Sequence, residues 1–224
     1  MSHALSQAVA EHDLSQHPFY RAWSEGSLPI QTLALYAAEY GEFIGTVPTG
    51  WRAMGETGIA ATEEEHARLW AEFASSLGEP VRTPTVPAVA ELCATLDRMA
   101  GSPECALGAL YAFEAQQPQV ARSKLDGLKR HYRCSRPGLA VDYFKAHLED
   151  YAEPALLESR FDALEPADQD RARAAAATMG TALWAALDGI MSESTGETAP
   201  PAARPARNSA ITSQTRSSSS SVTQ

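Results

Sequence analysis

"TEEEHARLW", Thr62 to Trp70, sets three consecutive glutamates beside one of only six histidines and then turns apolar. On a helix of about 100° per residue, Glu56 and Glu63 nearly coincide and His66 lies about 80° away. Leu69, Trp70 and Phe73 continue on the side of His66, so Glu63 and His66 lead into a buried stripe while Glu64 and Glu65 face water. That phasing makes the segment an amphipathic helix and raises the question of why its inner face carries ionisable groups.

The rest of the chain agrees with a helical reading. Alternating apolar and polar runs are absent, Val, Ile and Thr are sparse, and Ala, Leu and Glu dominate. A short helix is expected over Leu5 to Leu14, a second over "HPFYRAWSEG" ended by Gly26, and a third opened by Pro29. The stripe Leu33, Tyr36, Tyr40, Phe43, Val47 keeps the helical period, and Pro48 is expected to stop it. A helix from about Thr49 to Leu77 follows, with Gly55 and Gly58 as weak points. Pro87 to Ala100 is next. A long helix runs from Pro103 through Tyr132, kinked by Pro118. Pro137 to Ala152 is another, interrupted by Pro154, and "EPADQDRARAAAATMGTALWAALDGIM" is the last. The expectation is one all-α domain over residues 1–192, a bundle of seven or eight helices. Residues 193–224, rich in Ser, Thr, Pro and Ala, read as a disordered tail.

Composition narrows the function classes. The net charge is -10, and the stretch from Thr198 carries Arg204, Arg207 and Arg216 and no acid, so the excess is larger in the helical part. A nucleic-acid partner is disfavoured, since most of the surface would repel a polyanion. No apolar run approaches the roughly 20 residues of a membrane span. The start of the chain lacks the pattern of a signal peptide. Cys93, Cys105 and Cys134 are an odd number without C-x-x-C spacing, which makes a reducing cytoplasm the simpler reading.

Ionisable residues on apolar faces are the candidates for chemistry. Besides Glu63 and His66, Glu114 follows Leu107, Leu110 and Tyr111 at helical spacing. His147 shares a face with Tyr143 and Phe144, and Asp150 lies one turn later. Each has an ordinary alternative: a solvated face with a hydrogen-bonded core histidine, a carboxylate paired with Arg122 or Lys124, a satisfied core histidine. Together, on three helices of one bundle, they favour a metal site. Two imidazoles with several carboxylates suit iron or manganese.

"HPFYRAWSEGSLP", "LALYAAEYGEFIGTVP", "EEHARLWAEFASSLG", "LGALYAFEAQQPQVARSKLDGLKRHY" and "YFKAHLEDYAE", in that order, resemble the heme-oxygenase-like superfamily that contains thiaminase II and pyrroloquinoline-quinone synthase. The resemblance covers about residues 15–160. It is strongest to the heme-oxygenase-like di-iron oxidases, and among those to proteins similar to the self-sacrificing para-aminobenzoate synthase. It implies an iron-dependent, dioxygen-activating oxidase acting on a small amine or amino-acid-like substrate, with two irons, the second in doubt, and a homodimer. His66, Glu114 and His147 become iron ligands. The family's glutamate seven residues before the first histidine is Ile59 here, so Glu63, or in second place Glu56, must substitute. The family's final His-x-x-x-Asp-x-x-His meets Tyr151 and Pro154 after His147. Asp150, and in second place Glu153, sit one residue away from those positions. The third family histidine has no evident replacement, with His131 as the remaining option. Tyr20, Tyr36 and Lys124 match the tyrosines and lysine that para-aminobenzoate synthases use near the metals. Lys124 or Arg122 could hold a substrate carboxylate, and Tyr36, Tyr40, Phe43, Trp70 and Phe113 are expected to line a dry cavity. The gaps at Tyr151 and Pro154 leave an alternative: a cofactor-free oxidase or a metal-free small-molecule binder on the same fold. A hydrolase of the thiaminase II kind fits less well, because none of the three cysteines stands where its nucleophile would be.

Overall fold

A computed structural model describes residues 3–196. Its helices are α1 (His3–Ala10), α2 (Pro18–Glu25), α3 (Ile30–Ala53), α4 (Thr57–Ser76), α5 (Pro87–Met99), α6 (Pro103–Glu114), α7 (Gln117–Gly127), α8 (Asp142–Ala146), α9 (Ala152–Asp162) and α10 (Pro166–Thr195). A short 3-10 turn, Leu14–Gln16, precedes α2, and a π-helical turn, Leu128–Tyr132, continues α7. There is no strand among the described residues. Taking α6 and α7 as one bent helix, and α8 as a single turn, gives eight helices, in line with the expected bundle. Of the expected tail, residues 193–195 instead continue α10, which Gly196 caps, and the part from Glu197 onward lies outside the described residues.

Helix α10 is the spine. It packs against α6, α5 and α1, while α3 lies against α4 and α5. By length and composition α10 could cross a membrane, although no run of that kind was expected. Here it serves as a core helix, burying Ala172, Ala176, Met179, Leu183, Leu187 and Ile190. The α6–α10 crossing is very close. A Cβ on Gly108 would stand 1.9 Å from the Ala172 carbonyl oxygen, so only glycine lets the two backbones meet there.

Several boundaries differ from the sequence expectation, most of them at prolines. Pro48 does not stop α3, which runs on to Ala53. Only the bond to the Ile44 carbonyl is forfeited, and Val47 and Trp51, both fully buried, hold the continuing turns against the core. The break falls instead at Gly55, whose φ of +80° suits a residue without a side chain. Gly58 lies inside α4. Pro118 bends the α6–α7 run, as expected, because it has no N–H to offer the Glu114 carbonyl and its ring crowds that group; the helical bonding is interrupted at Ala115 and Gln116, which keep right-handed helical dihedrals. Residues 137–152 hold only the short α8, and Pro154 sits in the first turn of α9, where its missing N–H costs nothing. The first helix ends at Ala10 rather than Leu14.

Candidate metal centre

The buried face of α4 is Ala60, Glu63, His66, Trp70, Phe73 and Ala74. Glu64 and Glu65 lie outside and pair with Arg52 and Arg68. Glu63 is 1% exposed, and its Oε1 lies 2.9 Å from His66 Nδ1. Opposite, the turn after α8 presents His147, fully buried, with its ring 4.4 Å from that of His66. The Nδ1 of His147 donates to the Tyr143 carbonyl at 2.8 Å. That bond fixes the tautomer and leaves Nε2 as a lone-pair donor. Burial pushes the His147 pKa down, to about 4, so the ring is neutral at physiological pH.

Glu114 enters from the last residue of α6 and Glu153 from the first turn of α9. Ligand atoms of Glu63, His66 and His147 lie mutually within 4.8 Å, and so do those of Glu63, Glu114 and Glu153. Glu63 belongs to both sets. Three buried atoms in this cluster, Glu114 Oε1, His147 Nε2 and Glu153 Oε2, have no hydrogen-bond partner. Burial first, and then the neighbouring carboxylates, raise the Glu114 pKa well above its ordinary value and that of Glu153 to about 8. Such a collection is costly as it stands and is relieved by a cation. The donor set therefore fits a divalent metal.

The remaining expected ligands are placed unequally. Asp150 is half-buried at the edge, its pKa raised by burial and by Glu63. Glu56 is turned away and pairs with Arg160. His131 is exposed and packs over Gly26. Neither Arg122 nor Lys124 pairs with Glu114: Arg122 donates to the Leu148 carbonyl, and Lys124 lies in another cluster.

That cluster borders the first. Lys124 Nζ donates to the Tyr36 hydroxyl at 2.8 Å and sits 4.3 Å over the Tyr20 ring, and the two hydroxyls are 3.1 Å apart. Desolvation drives the Lys124 pKa well below its usual value and raises those of both tyrosines, so the lysine tends to a neutral amine among protonated phenols. A neutral amine is a nucleophile and proton carrier rather than a clamp for a carboxylate. A narrow cavity touches this group. It is lined by Tyr20, Tyr40, Trp70, Phe113, Lys124 and Tyr143 among others, with about 250 Å³ of space between atoms, but its slender form admits only about one water. Tyr36 and Phe43 pack behind that lining rather than in it. Tyr143 joins the two clusters: its ring lies 4.4 Å from that of His147, and its phenol faces the cavity. Gln117, which also lines the cavity, and Tyr143 were not singled out as site residues, since a glutamine at the start of a helix and a tyrosine on an aromatic stripe carry no local signal.

The family model described as "iron-containing redox enzyme" matches residues 53–186. A 4-aminobenzoate synthase of Nitrosomonas europaea is 31% identical over 221 residues, covering 83% of this chain and 89% of that protein. Another, of Chlamydia pneumoniae, is 32% identical over 166 residues, covering 65% and 73%. Among solved structures, a TenA homologue from Pseudomonas syringae superposes with a TM-score of 0.67 at 15% identity, covering 84% of this chain and 90% of that one. A domain of heme oxygenase-like fold from Shewanella denitrificans gives 0.66 at 20% identity, covering 85% and 92%. The structures bear on fold, the sequences on kinship. With its buried carboxylate and imidazole cluster, the chain belongs to the iron-containing redox enzyme family, as an oxidoreductase of heme-oxygenase-like fold similar to the 4-aminobenzoate synthases.

Proposed function

We propose that the protein is a dioxygen-activating, non-heme di-iron oxidoreductase of the 4-aminobenzoate synthase type, acting on a small amine-bearing organic group. Glu63, His66, Glu114, His147 and Glu153 hold the iron, with Asp150 beside them. The observation that carries this reading is the convergence of Glu114 Oε1, His147 Nε2 and Glu153 Oε2, all buried and without partners, around Glu63. Iron bound there would supply electron transfer and dioxygen activation. The chain's own residues do the rest. The Tyr143 carbonyl orients His147, the aromatic walls exclude water, and Lys124, Tyr36 and Tyr20 form a hydrogen-bonded path along which a proton can move. Anaerobic addition of ferrous iron, desalting and metal analysis test it. Wild type should retain iron and consume dioxygen on aeration. His147→Ala should lose most of both. A wild type that retains no iron would refute the reading.

The size of the cavity favours a second reading of the substrate. Space for about one water accommodates dioxygen but no organic molecule in this conformation. The oxidisable groups already against the cavity include Tyr20, Tyr40, Trp70, Tyr143 and Lys124, and of these Tyr20 and Lys124 are joined through Tyr36 in one hydrogen-bonded group. In this reading, consistent with the resemblance to self-sacrificing synthases, the protein itself is consumed. Peptide mass spectrometry before and after aeration distinguishes the two. Altered mass at Tyr20, Tyr36 or Lys124 supports self-consumption, and unchanged masses with continued dioxygen uptake support an external substrate.

A further inference from the structure

Gln116 and Val120 line the narrow cavity from within, and the same two residues line a hollow on its outside. That hollow lies between α1 and the α6–α7 bend. Val9, Ala10, Asp13 and Tyr111 form other parts of its wall, and it holds about 690 Å³ of space open to solvent. Cavity and hollow are therefore separated by a wall one side chain thick. Gln116 and Val120 stand four residues apart on one helical face, and the Val120 N–H donates to the Gln116 carbonyl at 3.0 Å. Both ends of the Gln116 amide are held. Its Oε1 accepts from the Leu14 N–H at 2.7 Å, and its Nε2 donates to the Ala112 carbonyl at 2.8 Å. Leu14 lines the inner side of the wall. The surface hollow beside Pro118, Arg122 and Tyr151, by contrast, shares no lining residue with the cavity.

Resting on the dioxygen-activating reading above, we propose that this wall is the gate by which dioxygen reaches the cavity, with Gln116 and Val120 as the residues that set its size limit. Val120 contributes only methyl groups, which shift in ordinary side-chain fluctuations and offer water no hydrogen bond. Dioxygen is apolar and small enough for a space that admits about one water. An organic molecule is wider. It passes only when Leu14 releases Gln116, which requires the chain ahead of α2 to move. The gate thus separates oxidant from larger molecules by size.

Quenching of tryptophan fluorescence tests this, because Trp70 lines the cavity. A Trp184→Phe background removes the half-buried tryptophan and leaves the buried Trp23, Trp51 and Trp70 as reporters. The full chain is measured as isolated in air, with dioxygen under pressure and acrylamide as separate quenchers. Val120→Phe, which plugs the wall, should lower the dioxygen quenching constant severalfold, and Val120→Ala should raise it. Val89→Ala, a core truncation on α5 away from the wall, should stay close to wild type. Gln116→Ala should admit acrylamide, which wild type resists. In ferrous-loaded protein, iron oxidation after aeration should slow in Val120→Phe and quicken in Val120→Ala, with iron content unchanged. Equal dioxygen quenching in the two Val120 variants, or a shift in the same direction, would overturn the gate. Exclusion of acrylamide from Gln116→Ala would overturn the part given to the Leu14 bond. A wild type that retains no iron would overturn the iron reading, while the quenching comparison would still judge the gate by itself.

Discussion

Lys124 is a buried amine whose partners are a phenol and aromatic faces rather than a carboxylate. Such a residue is expected to cost stability for the sake of chemistry. Lys124→Met should therefore raise stability by about 1 kcal/mol, roughly 2–4 °C in Tm, while abolishing product formation. The sign of the pH effect follows from the lowered pKa. Between that value and the ordinary lysine value the unfolded chain binds the extra proton, so stability contributed by Lys124 rises with pH through this window. Subtracting the pH profile of Lys124→Met from that of wild type should leave this rising component, and a flat difference would show that the amine is charged in the fold. At the same scale, the identities of Glu63, His66, Glu114 and His147 were legible because each interrupts an apolar stripe at helical spacing. The choice between Asp150 and Glu153 was not. It depends on where a helix restarts after His147, and a single-residue offset there turns a side chain by about 100°.

Helix α3 shows what one element gains from a single buried polar group. Glu39, wholly buried, accepts from the Thr85 and Val86 N–H groups, the Thr85 hydroxyl and Arg82 Nε, tying the chain before α5 onto α3. Burial alone would raise its pKa, but these bonds together hold it below the usual carboxylate range. Glu39→Ala should cost about 3 kcal/mol, lowering Tm by roughly 6–12 °C, with ferrous binding unaffected in the folded fraction. Gly108→Ala drives a methyl into the α10 backbone, and a loss of about 1–3 kcal/mol in chemical denaturation is expected. Helix existence and type were readable from periodicity for most elements, the exception being the stretch after α7, where the expected helix over 137–152 is only the short α8 and α9 was not expected as a separate helix. Boundaries at prolines were less so, because Pro48 and Pro154 are harmless only by virtue of what is packed around them and where a helix happens to begin.

The molecule as a whole gathers its cluster from four places distant in sequence: α4, the end of α6, the turn after α8 and the start of α9. A ligand that binds only this arrangement must stabilise it. At a ferrous concentration about a hundredfold above its Kd, thermal unfolding should be deferred by about 2.7 kcal/mol, and His147→Ala should show little of that gain. An equal rise in Tm for the variant would mean that iron binds elsewhere. What no local pattern could announce was the narrowness of the cavity, since a void is the sum of many side chains and not a property of any one. The interruption between α6 and α7 bears on that interior in a further way. On an unbroken helix Glu114 and Lys124, ten residues apart, would stand roughly 15 Å apart along the axis and point about 80° away from one another. The bend at Ala115 and Gln116 ahead of Pro118 departs from that straight geometry between carboxylate and amine. The proline thus works as an indexing pin that aims two reactive groups into one interior, and removing the bend should turn Lys124 away from its phenols without touching a single ligand.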